Sequence, residues 1–277
     1  MASRYGVTAA QVRAVSGIGS NFIDDTDMGQ LIDSAEYEVD RLLNTKFIPT
    51  TTMELLNGDN SERIMLKYNP VLKVRALEID TTSVDLDDIR TDMSAGIVWL
   101  EATSDQTSFT TKNGYRQLTK IKYDYGWMDE TSTQTTTSAD AEAGSSVALS
   151  VGDETGFSVG DYVKIEGFDG LREVAKVTAT GSDEITVDSL STDHESGSLV
   201  TKVITPLLVI RLIQIVAGMM GVARVVGQSY DEVTGYTAGE ISVQKGEPYT
   251  QWREVTVQLQ KEYKQILSSL RARPAVR

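Results

Sequence analysis

Apolar residues recur along this chain with two different periods. Between residues 24 and 44, Met28, Leu31, Ile32, Ala35, Val39, Leu42 and Leu43 return at helical spacing, which places them on one face of an amphipathic helix. Asp24, Asp25 or Asp27 can cap its start and complement its dipole. Pro49 lies beyond its end. From residue 51 to 126 the pattern changes to short strands. Val71, Val74, Leu77 and Ile79 mark one, with a single slip of register. Residues 97–100 form another, and residues 118–125 carry Leu118, Ile121, Tyr123 and Tyr125 among polar neighbours. Two apolar runs flanking Asn57-Gly58 predict a hairpin.

The pattern breaks at residue 129. Residues 129–146 are small, polar and almost without apolar side chains, which predicts a flexible linker. Five short apolar runs follow up to residue 200, separated by Gly and Asp at roughly ten-residue intervals, the spacing of a small all-β barrel or sandwich. Thr205-Pro206 then opens an apolar helix running to about Val226, with Gly227 as its stop. Being apolar almost all round, it is expected at the centre of a core. Residues 228–247 read as a Gly-rich loop with a short strand at 240–244. A last helix starts at Pro248, with Trp252, Val255, Leu259, Tyr263, Ile266, Leu267 and Leu270 on one face.

Charge sharpens this division. The chain of 277 residues has a formal net charge of −14, and residues 129–202 hold 15 acidic against 4 basic residues. An acidic surface repels phosphate, which argues against sequence-reading nucleic-acid binding but not against DNA passing through a channel. It also suits high salt, where repulsion is screened. There are no cysteines and one histidine, His194, so disulfides, thiolate chemistry and paired-imidazole sites are excluded. No apolar signal segment opens the sequence. Residues 203–227 are nearly long enough to cross a bilayer, but Arg211, Gln214 and Arg224 interrupt them, which favours a helix buried in protein.

Few residues suggest chemistry. Gly17-Ile-Gly19 begins like a dinucleotide fingerprint but lacks a preceding strand and a third glycine, so it reads as a flexible turn. Asp153, Glu154, Asp161, Glu166 and Asp169 offer oxygen ligands without EF-hand spacing, as a solvated acidic loop set does. His194 lies in a polar turn with no nucleophile beside it, and no Gly-x-Ser-x-Gly elbow is present. Tyr249, Trp252 and Arg253 are the residue types that anchor interfaces, although Trp252 equally suits the helix's core face. From Arg253 to Arg277 there are 6 basic and 2 acidic residues. Arg271, Arg273 and Arg277 thus form either a basic docking tail for an acidic partner or a disordered terminus.

The order of elements resembles the head–tail connector (adaptor) family of tailed phages and related archaeal tailed viruses. The resemblance rests on Asp27-Met-Gly-Gln-Leu-Ile-Asp-Ser-Ala-Glu36, Lys122-Tyr-Asp-Tyr-Gly-Trp127 and Ile204-Thr-Pro-Leu-Leu-Val-Ile-Arg-Leu-Ile213. In that family the Tyr-Gly element leads quickly into the Pro-initiated helix, whereas here residues 129–202 intervene. The resemblance implies a ring of about twelve copies in the virion neck, assembled in the host cytoplasm. One end would dock on the portal, with Tyr249, Trp252, Arg253, Arg271, Arg273 and Arg277 as the interface candidates. The other end would meet a stopper or tail-completion protein, and double-stranded DNA would pass through without being read.

The expected fold is therefore α+β. A helical-bundle core with a small β element would comprise residues 1–128 and 203–277, and an acidic all-β domain, a small barrel or sandwich, would be inserted at 129–202. The expected role is structural, neither an enzyme nor a membrane protein, without cofactor or metal. The alternatives are another tail or baseplate component, or a module binding calcium or a glycan.

Overall fold

The computed structural model describes residues 3–101, 108–109, 118–168, 170–229, 235–238, 241–244 and 248–271. Along the chain come helices α1 (Ala9–Ser16) and α2 (Asp25–Leu43), then strands β1 (Thr50–Leu56), β2 (Arg63–Met65), β3 (Val71–Ile79) and β4 (Thr82–Val84). After a 3-10 turn at Leu86–Asp88 come β5 (Ile89–Asp92), β6 (Ile97–Leu100) and β7 (Thr119–Tyr125). Six more follow: β8 (Asp129–Thr136), β9 (Gly144–Ser150), β10 (Tyr162–Glu166), β11 (Arg172–Gly181), β12 (Glu184–Leu190) and β13 (Leu199–Ile204). The chain continues through helix α3 (Leu207–Ser229), strands β14 (Gly235–Ala238) and β15 (Ile241–Gln244), and helix α4 (Pro248–Arg271). These elements divide into two units. The first holds residues 1–44 and 206–277, the second residues 45–205.

In the first unit, α3 packs against α1, α2 and α4. Its residues Val209, Leu212, Ile213, Ile215, Val216 and Ala217 are buried, which is why the segment is apolar almost all round. By length and composition Leu207–Val226 could also cross a membrane, and 56% of that stretch is buried inside the protein. Gly218 and Gly221 let α1 and the turn after it approach α3 closely. A Cβ at Gly221 would lie 2.7 Å from Ile18 Cδ1, and one at Gly218 would lie 3.1 Å from Ser16 Cβ. The Gly17-Ile-Gly19 segment read as a turn follows directly on helix α1, with Ile18 buried. Thr8 and Gln11 form a capping box at the start of α1, and Gly17, at φ 71°, closes it with its N–H on the Arg13 carbonyl. Asp24 caps α2 by accepting from the Asp27 N–H at 2.8 Å.

Among the described residues, the regular elements of the second unit are strands apart from one short 3-10 turn. One sheet has the order β1-β7-β3-β4 and another β2-β6-β5, every pairing antiparallel. Leu77, Ile79, Val98, Phe109, Ile121 and Tyr123 belong to one continuous core beneath them. The third sheet has the order β8-β13-β10-β11-β12-β9. Its two end strands meet, because Ser138 N–H donates to Ser150 O at 2.9 Å and Gly152 N–H to Thr136 O at 3.1 Å. This closes a six-stranded barrel around Leu149, Val163, Ile165, Val177, Ile185 and Val200.

Three expectations are corrected. The fold is not built on a helical-bundle core with a small β element: 37% of the described residues are strand and 31% helix, and the described strands number fifteen in four antiparallel sheets. Residues 129–136 are not linker but barrel strand β8, paired with β13. Threonine is β-branched and suits a strand whose outer face is wet, so absence of apolar residues did not mean absence of structure. No hairpin spans Asn57-Gly58 either, since β1 pairs with β7 and β2 with β6. Tertiary pairing overrode the local turn signal there.

Candidate interaction surface

Helix α4 is amphipathic in a way that separates two kinds of contact. Trp252, Leu259, Ile266 and Leu270 are buried, and Trp252 meets Phe22 edge-on, with ring centroids 6.1 Å apart and planes at 88°. This settles Trp252 as a core residue of its unit rather than a free anchor. On the opposite face, Arg253, Val257, Gln260, Lys261, Lys264, Ser268 and Arg271 are all exposed. Their spacing of three and four residues aligns them along one stripe. Arg253, Lys261, Lys264 and Arg271 supply four cations with no carboxylate within the stripe, although Glu254 flanks it. Arg271 also sits in the last turn, where a cation complements the helix dipole.

Of the six residues singled out in the sequence, the structure therefore places Arg253 and Arg271 on one exposed face and Trp252 beneath it. Tyr249 falls in the first turn of α4, with its side chain outside the described residues, as are Arg273 and Arg277. Lys261 and Lys264 were not singled out, yet their offsets of eight and eleven residues from Arg253 are readable in the sequence. A shallow cleft of about 240 Å³, lined by Val226, Trp252, Arg253, Thr256, Val257 and Gln260, opens at the start of the stripe. Arg211 holds α4 on α3 through a two-pronged ion pair with Glu262 at 2.7 and 3.0 Å. That pair holds the Glu262 carboxyl below its ordinary range.

The second unit hides a charged cluster that periodicity could not reveal. Lys73 on β3 and Glu173 on β11 pair at 2.8 Å with both side chains almost wholly buried. Glu173 also accepts from the backbone N–H groups of Ser191 and Thr192, from Thr192 Oγ1 at 3.2 Å and from His194 Nε2 at 3.0 Å. Burial pushes the Glu173 carboxyl up, but the His194 hydrogen bond and the Lys73 charge outweigh it and hold it at about 2. Lys73 further donates to Ser189 O at 2.5 Å. His194 is thus no loop-surface residue. It is 2% exposed and bridged to Ala141 by paired backbone hydrogen bonds. A carboxylate whose acceptor sites are already filled is a clamp between the barrel and β3 rather than a base poised for proton transfer.

Beside this clamp lies a cleft of about 340 Å³ walled by Val74, Leu86, Ile89 and Met93, with Arg90 and Arg172 along it. Both arginines are already engaged: Arg90 with Glu101, and Arg172 with Glu166 at 2.5 Å. The carboxylates weighed as a calcium set are occupied too. Asp161 pairs with Lys202 at 2.6 Å, Glu166 with Lys164 at 2.9 Å, and Asp153 and Glu154 accept from backbone N–H groups of Thr155 and Asp183. Asp169 lies outside the described residues. Among the described residues no group of three or more metal-binding side chains converges.

No family model matches the chain, and no curated protein is similar to it.

Proposed function

We propose that the chain is a structural subunit of a tailed-virus particle. Its role is the head–tail adaptor, forming a ring of about twelve copies between the portal and the tail or stopper, with double-stranded DNA passing through unread. The observation that carries this reading is the basic stripe on α4 in a chain of net charge −14. A one-sided cationic helix on an acidic protein is complementary to an acidic partner surface. Trp252, packed on Phe22, holds the helix that presents the stripe, and the apolar Val257 inside it adds desolvated contact.

The test is co-sedimentation of the purified chain with portal rings from the same genome, at low and at high salt. The wild-type chain is expected to sediment with portals, and the Lys261→Glu/Lys264→Glu chain to stay in the supernatant with unchanged circular dichroism. Truncation of residues 271–277 measures the tail separately. Retention of binding by the truncated chain assigns the dock to the helix face alone. Failure of the wild-type chain to bind at either salt concentration would overturn the adaptor reading in favour of another tail or baseplate component.

A further inference from the structure

Among the described strands, β1 lies at the edge of its sheet. It pairs with β7 through an unbroken register from Thr50↔Tyr125 to Leu56↔Thr119 and with no other described strand. Soluble proteins guard such edges with proline, lysine, a bulge or a covering segment. This strand reads Thr-Thr-Thr-Met-Glu-Leu-Leu, has no register shift, and turns Met53 and Leu55 to solvent, 65% and 44% exposed. On the neighbouring strand, Lys122 and Lys120 stand opposite those two residues and are exposed as well.

A second incomplete element lies in the other unit. Strands β14 and β15 pair with each other and with no other described strand. A lone two-stranded hairpin is marginally stable in water. It is carried on the long connection between α3 and α4, where two packed helices need only a short one. Residues 230–247 carry Asp231, Glu232, Glu240 and Glu247 against Lys245, so the segment is acidic, while Lys122 stands exposed on the β1–β7 face, where Lys120 pairs with Glu78.

We propose that the β14–β15 hairpin of one copy adds to the β1 edge of a second copy, extending the four-stranded sheet across the subunit boundary. Backbone hydrogen bonds would supply the affinity, while Lys122 against the acidic hairpin segment would favour the pairing. Because the two surfaces differ, the contact is head-to-tail and propagates, closing into a ring when the rotation permits. The proposal rests on the ring reading above and names the contact that builds it.

The chain has no cysteine, so single-cysteine variants report one contact each. Met53→Cys chains are mixed with either Tyr236→Cys or Thr237→Cys chains, since adjacent strand residues point to opposite faces, and a short bismaleimide is added. The expected result is a mixed dimer absent from either variant treated alone. Replacement of residues 232–246 by a Gly-Ser linker of equal length is expected to shift the light-scattering mass to that of the monomer without changing the melting temperature. Only Met53–Met53 products would mean that β1 pairs with itself. Cross-linking confined to one chain in the doubly substituted protein would mean that the hairpin folds back in cis. Either result overturns the proposal. A wild-type chain that forms rings yet gives no mixed product would overturn the contact while leaving the ring reading intact. A wild-type chain monomeric even beside portal rings would overturn both.

Discussion

The two units of this chain handle charge in opposite ways. The helical unit holds 12 basic and 13 acidic residues and is nearly neutral, whereas the β unit holds 14 and 27 and carries almost all of the net charge. The helical unit keeps at least one partner of each described ion pair in reach of water: Arg211–Glu262 and Arg224–Asp27 join its helices with every side chain more than a third exposed, and the buried Glu36 and Asp40 carboxylates pair with Arg4, which is 43% exposed. The β unit, acidic outside, buries its one fully enclosed described ion pair, Lys73–Glu173. Surface pairs are screened and contribute little, while a buried pair makes each partner indispensable to the other. The units therefore differ in where a single substitution does damage.

The largest effect is expected at the clamp. Lys73→Met leaves Glu173 charged and buried, and should destabilise the β unit by about 3–5 kcal/mol in guanidinium unfolding. The Lys73→Met/Glu173→Gln double variant should recover much of this loss, because no unpaired charge remains. Calorimetry sharpens the comparison. If the units unfold separately, Lys73→Met moves one transition and leaves the other in place.

Acid should act on the same pair. The folded carboxyl of Glu173 titrates at about 2, below its ordinary value of 4.5. Its stabilisation is therefore fully present above pH 4.5 and is lost as pH falls towards 2, about 3 kcal/mol in all. A pH series of unfolding midpoints should show this slope in the wild-type chain, and the Glu173→Gln chain should lack that component.

In the helical unit the close packing around α3 is the next vulnerable point. Gly221→Val would drive a side chain into Ile18 and should cost about 1–3 kcal/mol, moving only the helical unit's unfolding transition. Removing the Thr8 cap with Thr8→Ala should cost about 1 kcal/mol by the same measurement. The smallest effect is expected at the half-exposed pair: Arg211→Ala should change stability by about 0.2–1 kcal/mol, less in high salt. A loss at Arg211 as large as that at Lys73 would erase the contrast between the units.

Legibility in the sequence follows the same division. Helix α2 was readable because its buried residues Met28, Ile32, Ala35, Val39 and Leu43 repeat on one face and an aspartate caps it. Helices α3 and α4 were readable from their prolines and their apolar patterns. Helix α1 was missed, because an eight-residue helix whose buried residues are only Val12 and Ser16 leaves almost no periodic trace. Strand β8 was missed because even its less exposed positions, Thr131, Thr133 and Thr135, are not apolar. The basic face of α4 was half legible, with Arg253 and Arg271 recognised and Lys261 and Lys264 passed over. The Lys73–Glu173–His194 cluster was not legible at all. Its members lie 100 and 21 residues apart, and nothing local distinguishes a buried lysine or glutamate from an exposed one.

By itself the sequence determined where the three long helices lie, how the charge is divided and which chemistries the chain lacks, because periodicity, capping and composition are local properties. Only the tertiary structure decided that β-structure predominates, that Thr-rich residues 129–136 belong to a barrel, and that Trp252 is core while Lys261 and Lys264 are surface. It also decided that a lysine, a glutamate and the single histidine meet in one buried cluster. These features depend on which distant segments pair, and strand pairing and burial are set by the closure of the whole unit rather than by neighbours along the chain.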